Sequence, residues 1–140
     1  MANISITSAN VLPIAGSSVL NAKVAGETIV AGEWLYVGTD RKLYKASTFT
    51  LESANVVGLS ANAGYEDQPV AYISKSTSCA IGSVVTTGHL YFLSSTAGKM
   101  YTAADMVAGS NDYPMFIAQA VTDSTISFDF TDPAYPSFRT

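Results

Sequence analysis

The stretch GETIVAGEWLYVGTDRKLYKA, residues 26–46, decides the fold class. β-branched and aromatic residues dominate it, which favours strands over helices. Thr28–Val30 reads as a short extended piece, Gly32-Glu33 as a turn, and Trp34–Val37 as a strand. Gly38–Arg41 then reads as a hairpin loop and Leu43-Tyr44 as the returning strand. The segment GSVVTTGHLYFLSSTAGKMYTA begins at Gly82, 56 positions after Gly26, and repeats the plan. Gly82 and Gly88 keep the spacing of Gly26 and Gly32, and Leu90–Leu93 answers Trp34–Val37. With one residue inserted in the turn, Lys99–Ala103 answers Lys42–Ala46, and Met115–Ala120 answers Asn55–Ser60. The spacing predicts two related β units, at about 26–77 and 82–122. Two copies are too few for a solenoid and fit two halves of one domain.

Outward from this core, Val56–Ala61, Gln68–Ser74 and Thr125–Phe130 read as further strands, the last with Ile126, Phe128 and Phe130 on one face. Thr48–Ala54 reads as one helical turn or an irregular loop. Residues 1–25 hold an alternating arm, Ala2–Leu12, and a second extended piece, Val19–Val24. The tail, residues 131–140, carries two prolines, Tyr135 and Phe138, and so cannot form a central strand. The expectation is an all-β protein: a single domain over 26–130, built as a compact sandwich or small barrel, with extended N- and C-terminal arms.

Composition narrows the function. The hydrophobic share is 48% and the charged share only 13%, about half of what a soluble domain usually carries. A surface so poor in charge must be covered by small polar residues or by other chains. The net charge of -4 and scattered basic residues argue against a nucleic-acid partner. Arg41, Lys42 and Lys45 lie close together and read as a solvated turn. No apolar run approaches the roughly 20 residues of a membrane span. The N-terminus lacks a basic region followed by an apolar core, so synthesis in the cytoplasm without a secretory signal is expected.

Candidate chemistry is sparse. Cys79 and His89 are the only cysteine and histidine, too few for a zinc site without carboxylates. Cys79 reads as a packed residue. Glu66-Asp67 and the pair Asp129, Asp132 read as solvated loop charges without calcium-loop spacing. No serine sits in a nucleophile elbow and no glycine run forms a phosphate loop. Trp34, Tyr36, Tyr44, Tyr91, Phe92 and Tyr101 could line a sugar-binding face, but they recur at matching places and suit core or subunit packing better.

The N-terminal run Met1–Thr7 with Ala9-Asn10-Val11, then Gly26 and Gly32 followed by Leu35-Tyr36, Lys42–Ala46, Val57–Ser60 and Gln68–Val70, form a pattern. With Ile81-Gly82, Gly88, Tyr91 and Leu93, it resembles the capsid decoration, or head cement, proteins of tailed bacteriophages. The resemblance spans most of the chain. It implies a non-enzymatic, β-rich structural protein of the virion, without cofactors or metals, that binds the outside of the head shell and stabilises it. The implied partners are the major capsid protein and further copies of the chain, with a trimer favoured. The implied location is the capsid surface, after synthesis in the host cytoplasm. The expected contact residues are Ile4, Ile6, Val11 and Leu12 in the arm and Tyr135 and Phe138 in the tail. A tail, neck or head-fibre module and a carbohydrate-binding β module are the alternatives.

Overall fold

The β-branched and aromatic runs become strands in the computed structural model. It describes residues 4, 6, 11–13, 18–20, 23–48, 50, 52–94, 96–102 and 116–130. Among these there are ten strands and no helix. They are β1 (Leu12–Pro13), β2 (Ser18–Leu20), β3 (Trp34–Val37), β4 (Leu43–Lys45), β5 (Gly58–Ser60), β6 (Tyr72–Ala80), β7 (Leu90–Leu93), β8 (Met100–Thr102), β9 (Phe116–Thr122) and β10 (Thr125–Asp129). All belong to one antiparallel sheet, with eight in the order β4-β3-β5-β6-β10-β9-β7-β8 and β1 and β2 joined to β6. The sheet curls into a half-barrel. An all-β fold, a sandwich or a small barrel, was expected; the described strands form one curled sheet, on the barrel side of that choice.

Strand β6 explains why. The sequence suggests a strand ending at Ser74 and a second unit opening near Ser78, yet one nine-residue strand runs through both. Its inward positions are partly serines, Ser74 and Ser76, buried at 3% and 2% exposure. No apolar alternation marks them, so the pattern stops where the strand does not. On one side of β6, Tyr72 and Ile73 pair with Ser60 and Leu59 of β5. Further along, Lys75, Ser76, Cys79 and Ala80 pair with β10. Lys75 also pairs with Ser18, Ile73 with Val19 and Tyr72 with Leu20, while Ala80 and Cys79 pair with Leu12 and Pro13. A strand has two sides, so the arm fills the side opposite β5 and β10. The sheet therefore forks at β6 into a limb of β5, β3 and β4 and a limb of β10, β9, β7 and β8.

The limbs curl over a common core. On β3, Trp34 and Tyr36 face the larger cluster, with Leu59, Ile73, Cys79, Tyr91, Leu93, Met100, Ile117, Ile126 and Phe128. Leu35 and Val37 face a smaller one, with Ala25, Ile29, Leu43, Val70 and Tyr72. The period-2 alternation of a strand thus serves two cores at once. Trp34 is fully buried and meets Phe128 and Phe130 edge-on, with ring centroids 5.2 Å and 5.9 Å away. The turn between β7 and β8 ties the limbs: Gly98 N–H donates to Ala46 C=O (2.7 Å), and Trp34 N–H donates to Gly98 C=O (3.3 Å).

The two hairpins share their bonding. Gly32 N–H donates to Ser60 C=O (3.0 Å), and Ser60 N–H donates to Glu33 C=O (2.8 Å). In the other limb Gly88 N–H donates to Ala120 C=O (2.9 Å), and Ala120 N–H donates to His89 C=O (3.0 Å). Gly32 and Gly88 have φ of 91° and 83°, in the region that L side chains resist. Gly26 and Gly82 differ. Gly82 has a positive φ of 84°, whereas Gly26 is covered by the ring of Tyr44, which a Cβ would strike. Thr28–Val30 forms no strand. Ile29 bridges only Gly64, and Val30 is taken by side chains, its N–H by Glu33 Oε1 and its C=O by Ser60 Oγ.

These contacts separate two otherwise equal substitutions. At Gly88 a Cβ meets nothing within 4 Å, whereas at Gly32 it would lie 2.9 Å from Ile6 Cγ2 and 3.2 Å from Ile6 C=O. Gly88→Ala is expected to cost about 1–2 kcal/mol of backbone strain. Gly32→Ala adds about 1–3 kcal/mol of overpacking. Both changes alter the unfolded chain alike, so that contribution cancels in the difference. Denaturant midpoints followed by the fluorescence of Trp34 check the order; equal midpoints would remove Ile6 from Gly32.

Candidate interaction surface

The expected contact residues of the arm are spent largely on the chain itself. Ile6 is buried in the larger core at 8% exposure. Ile4 and Val11 are partly buried against the same core, and Ile4 N–H donates to Met100 C=O (2.7 Å) on β8. Leu12 belongs to β1, paired with Ala80. Tyr135 and Phe138 lie outside the described residues. The structure brings Ile6 to Gly32 and Ile4 to Met100, so the arm reaches both limbs.

Of the aromatic residues weighed as a sugar-binding face, Trp34, Tyr91 and Tyr101 are buried at 0%, 1% and 2% exposure. A binding platform built on them is ruled out, and their role is core packing. Tyr91 also accepts a hydrogen bond at its hydroxyl from Thr86 N–H (2.8 Å). Among the described residues the exposed large apolar side chains are instead Val19, Val30, Tyr65, Leu90 and Val121. Concavities lie beside Val30, Tyr65 and Val121. One of about 190 Å³ lies between Thr28, Val30, Tyr65 and Gln68. Another of about 290 Å³ lies over β6, β9 and β10, between Lys75, Val121 and Asp129. Sequence alternation missed both, because they form where loops or strands distant in sequence meet.

Several charges hold a turn, and others face each other across strands. Arg41 has a φ of 66° and lets the β3–β4 hairpin close, with Gly38 N–H donating to Lys42 C=O (2.9 Å). Asp40 accepts from Tyr44 O–H (2.6 Å) and from Lys42 N–H (3.1 Å). Lys42 Nζ pairs with Asp67 at 2.6 Å, so the expected loop charge has a partner. Asp129 faces Lys75 Nζ at 3.9 Å. Tyr44 stacks on Tyr36 with centroids 5.7 Å apart. Such exposed pairs are screened by salt and steer orientation more than they add stability. Glu33 is buried at 8% exposure, and its N–H donates to Ser60 Oγ (2.9 Å).

Burial pushes the Cys79 thiol up to about 11, which keeps it protonated and unreactive at neutral pH. Among the described residues no three His, Cys, Asp or Glu side chains gather as metal ligands. No helix among them is long and apolar enough to cross a membrane.

The Tyr44–Asp40 bond has a measurable signature. It pushes the Tyr44 phenol up to about 12, with the hydrogen bond to Asp40 as the largest cause. The same bond, followed by the one from Lys42 N–H, lowers the Asp40 carboxyl. The raised tyrosine contributes stability that is full below about pH 10, the unfolded value, and is lost as pH rises through about 12. The lowered aspartate contributes stability present above its ordinary value of 3.8 and lost as pH falls through its folded value. Asp40→Ala is expected to return the Tyr44 titration toward about 10. Phenolate absorbance, with Tyr44→Phe subtracted, reads it; an unmoved midpoint would discount the bond.

No protein-family model matches the chain, and a search of curated proteins found no match.

Proposed function

We propose that the chain is a structural virion protein that binds the outer surface of a tailed-bacteriophage head and stabilises the shell. Its partners on this reading are the major capsid protein and further copies of itself, with a trimer favoured. It is made in the host cytoplasm and resides on the capsid surface. The reading treats the chain as a non-enzymatic scaffold of two related β units, at about 26–77 and 82–122, with extended arms.

One observation carries it. The glycines on which the resemblance rests recur as backbone scaffold: Gly32 and Gly88, both at positive φ, each donate to the returning strand of their own limb, and the next residue accepts from it. The insertion expected in the second turn has a matching signature. The closing bond runs from Gly38 to Lys42 in one hairpin and from Ser94 to Lys99 in the other. The left-handed residue just before the closing lysine is Arg41 in one and Gly98 in the other. This supports a unit used twice for architecture, with its polar groups spent on holding turns.

A scaffold of this kind acts through its surface. Modest contacts repeated at many symmetric sites clamp neighbouring subunits through avidity. Within the arm, Ile4 and Val11 keep part of their surface outside the core, and Val19 is 44% exposed. These positions remain open to a partner, whereas Ile6 is committed to the fold.

Copy number tests the proposal. Quantitative mass spectrometry of purified virions is expected to find the chain in amounts comparable to the major capsid protein. Electron cryomicroscopy is expected to place it on the outer face of the head. A handful of copies per particle would assign it to the tail or neck, and absence from the particle would end the virion reading.

A further inference from the structure

Strand β6 is an interior strand because of the arm. Tyr72, Ile73, Lys75, Cys79 and Ala80 each have β5 or β10 on one side. Among the described residues, the other side is filled only by Leu12–Pro13 and Ser18–Leu20. Without them the longest strand of the protein would present an open edge. Such edges are normally guarded by proline, clustered charge or shortness. β6 has no proline, nine residues and one charged side chain, Lys75.

The arm is short-stranded and holds Pro13, but it is unguarded by charge. Lys23 is the first charged side chain in the sequence, so the arm carries no side-chain charge that would repel a second copy. Its hold on β6 is the ladder itself. That ladder shifts register between Ser18 and Val19 and includes Pro13, which has no N–H to give. From Lys23 onward the chain belongs to the body: Val70 N–H donates to Lys23 C=O (3.1 Å), and Ala25 N–H donates to Gln68 C=O (2.8 Å). The division between strand and body falls between Leu20 and Lys23. Register and the seats of Ile4 and Ile6 select what pairs with β6, and the same arm on another copy has the same register and the same two residues.

We propose that the β6 edge is a strand-acceptor site whose second occupant is the arm of another copy of this chain, giving a strand-exchanged oligomer. Exchange replaces each contact like for like, so the oligomer needs no new interface. Ile4 and Ile6 travel with the arm to the Met100 and Gly32 positions of the partner. Concentration then sets the balance between closed and exchanged forms. This does not depend on the virion reading.

Cross-linking tests it in the full chain. Ser18 and Lys75 are register partners, and facing Cα atoms of an antiparallel ladder, about 4.5–5.5 Å apart, are within disulfide reach. One chain carries Ser18→Cys and a second, lengthened by a tag, carries Lys75→Cys. The two are refolded together and oxidised, while the buried Cys79 stays out of the reaction. The expected product is a mixed covalent dimer, several-fold above either like dimer and rising with concentration. No mixed dimer at any concentration, while both changes in one chain lock it as a covalent monomer, would overturn the proposal. Failure of that double variant to form any disulfide would also overturn it, by removing the register. If the variants do not fold, the unmodified chain refolded at low and high concentration gives the answer by size-exclusion chromatography. Oligomer that grows with concentration supports exchange, and monomer throughout refutes it.

Discussion

The backbone ladder of β6 is the constraint on which the rest of the structure depends. Its nine residues carry β5 and β10 on one side and the N-terminal arm on the other. Every buried donor and acceptor along it must be met, because an unmet one costs about as much as a lost hydrogen bond. That requirement holds the two limbs in one sheet and places their inner faces against each other. Trp34 fills the space between them, braced by Phe128 and Phe130 of the opposite limb. Its indole N–H finds no partner among the described residues, and among them the large apolar contact is what offsets the unmet donor.

Polar side chains serve the same architecture. Glu33 and Ser60 stand in for the ladder where residues 28–30 do not form a strand. Thr50 and Ser53 bond reciprocally and close the turn after β4. Asp123 accepts from both Thr87 N–H and Thr87 O–H and pins the turn that ends at Gly88. These polar groups are held in turn geometry, while the exposed apolar side chains Val30, Tyr65 and Val121 lie beside concavities.

Where β-branched and aromatic residues run together or alternate, the fold was legible in the sequence. Trp34–Val37, Leu90–Leu93 and Thr125–Asp129 are strands at the expected places, because β-branched and aromatic side chains fit a pleated, half-buried surface. β6 was cut short because Ser74 and Ser76 occupy buried positions without an apolar signal. Matched residues in the two halves also diverged in environment. Phe92 meets Phe116 edge-on, while its counterpart Tyr36 stacks on Tyr44. Glu33 is buried and His89 exposed. Spacing preserves backbone roles, whereas the neighbours of a side chain depend on the other limb. That Leu12–Pro13 and Ser18–Leu20 pair with β6 was not legible, since alternation names no partner strand.

The order of synthesis gives the arm a history of its own. Leu12 leaves the ribosome 68 residues before its partner Ala80. At about 5–20 residues per second, that gap lasts roughly 3–14 seconds. β6 then waits for Thr125 and the rest of β10, 45 residues further on. Both sides of the central ladder are thus closed by segments remote in sequence, and loop closure over such spans is slow. On a polysome, neighbouring nascent chains hold uncharged arms and half-paired β6 strands close together. On the exchange proposed above, folding alone and folding with a sibling compete there, before any finished molecule exists.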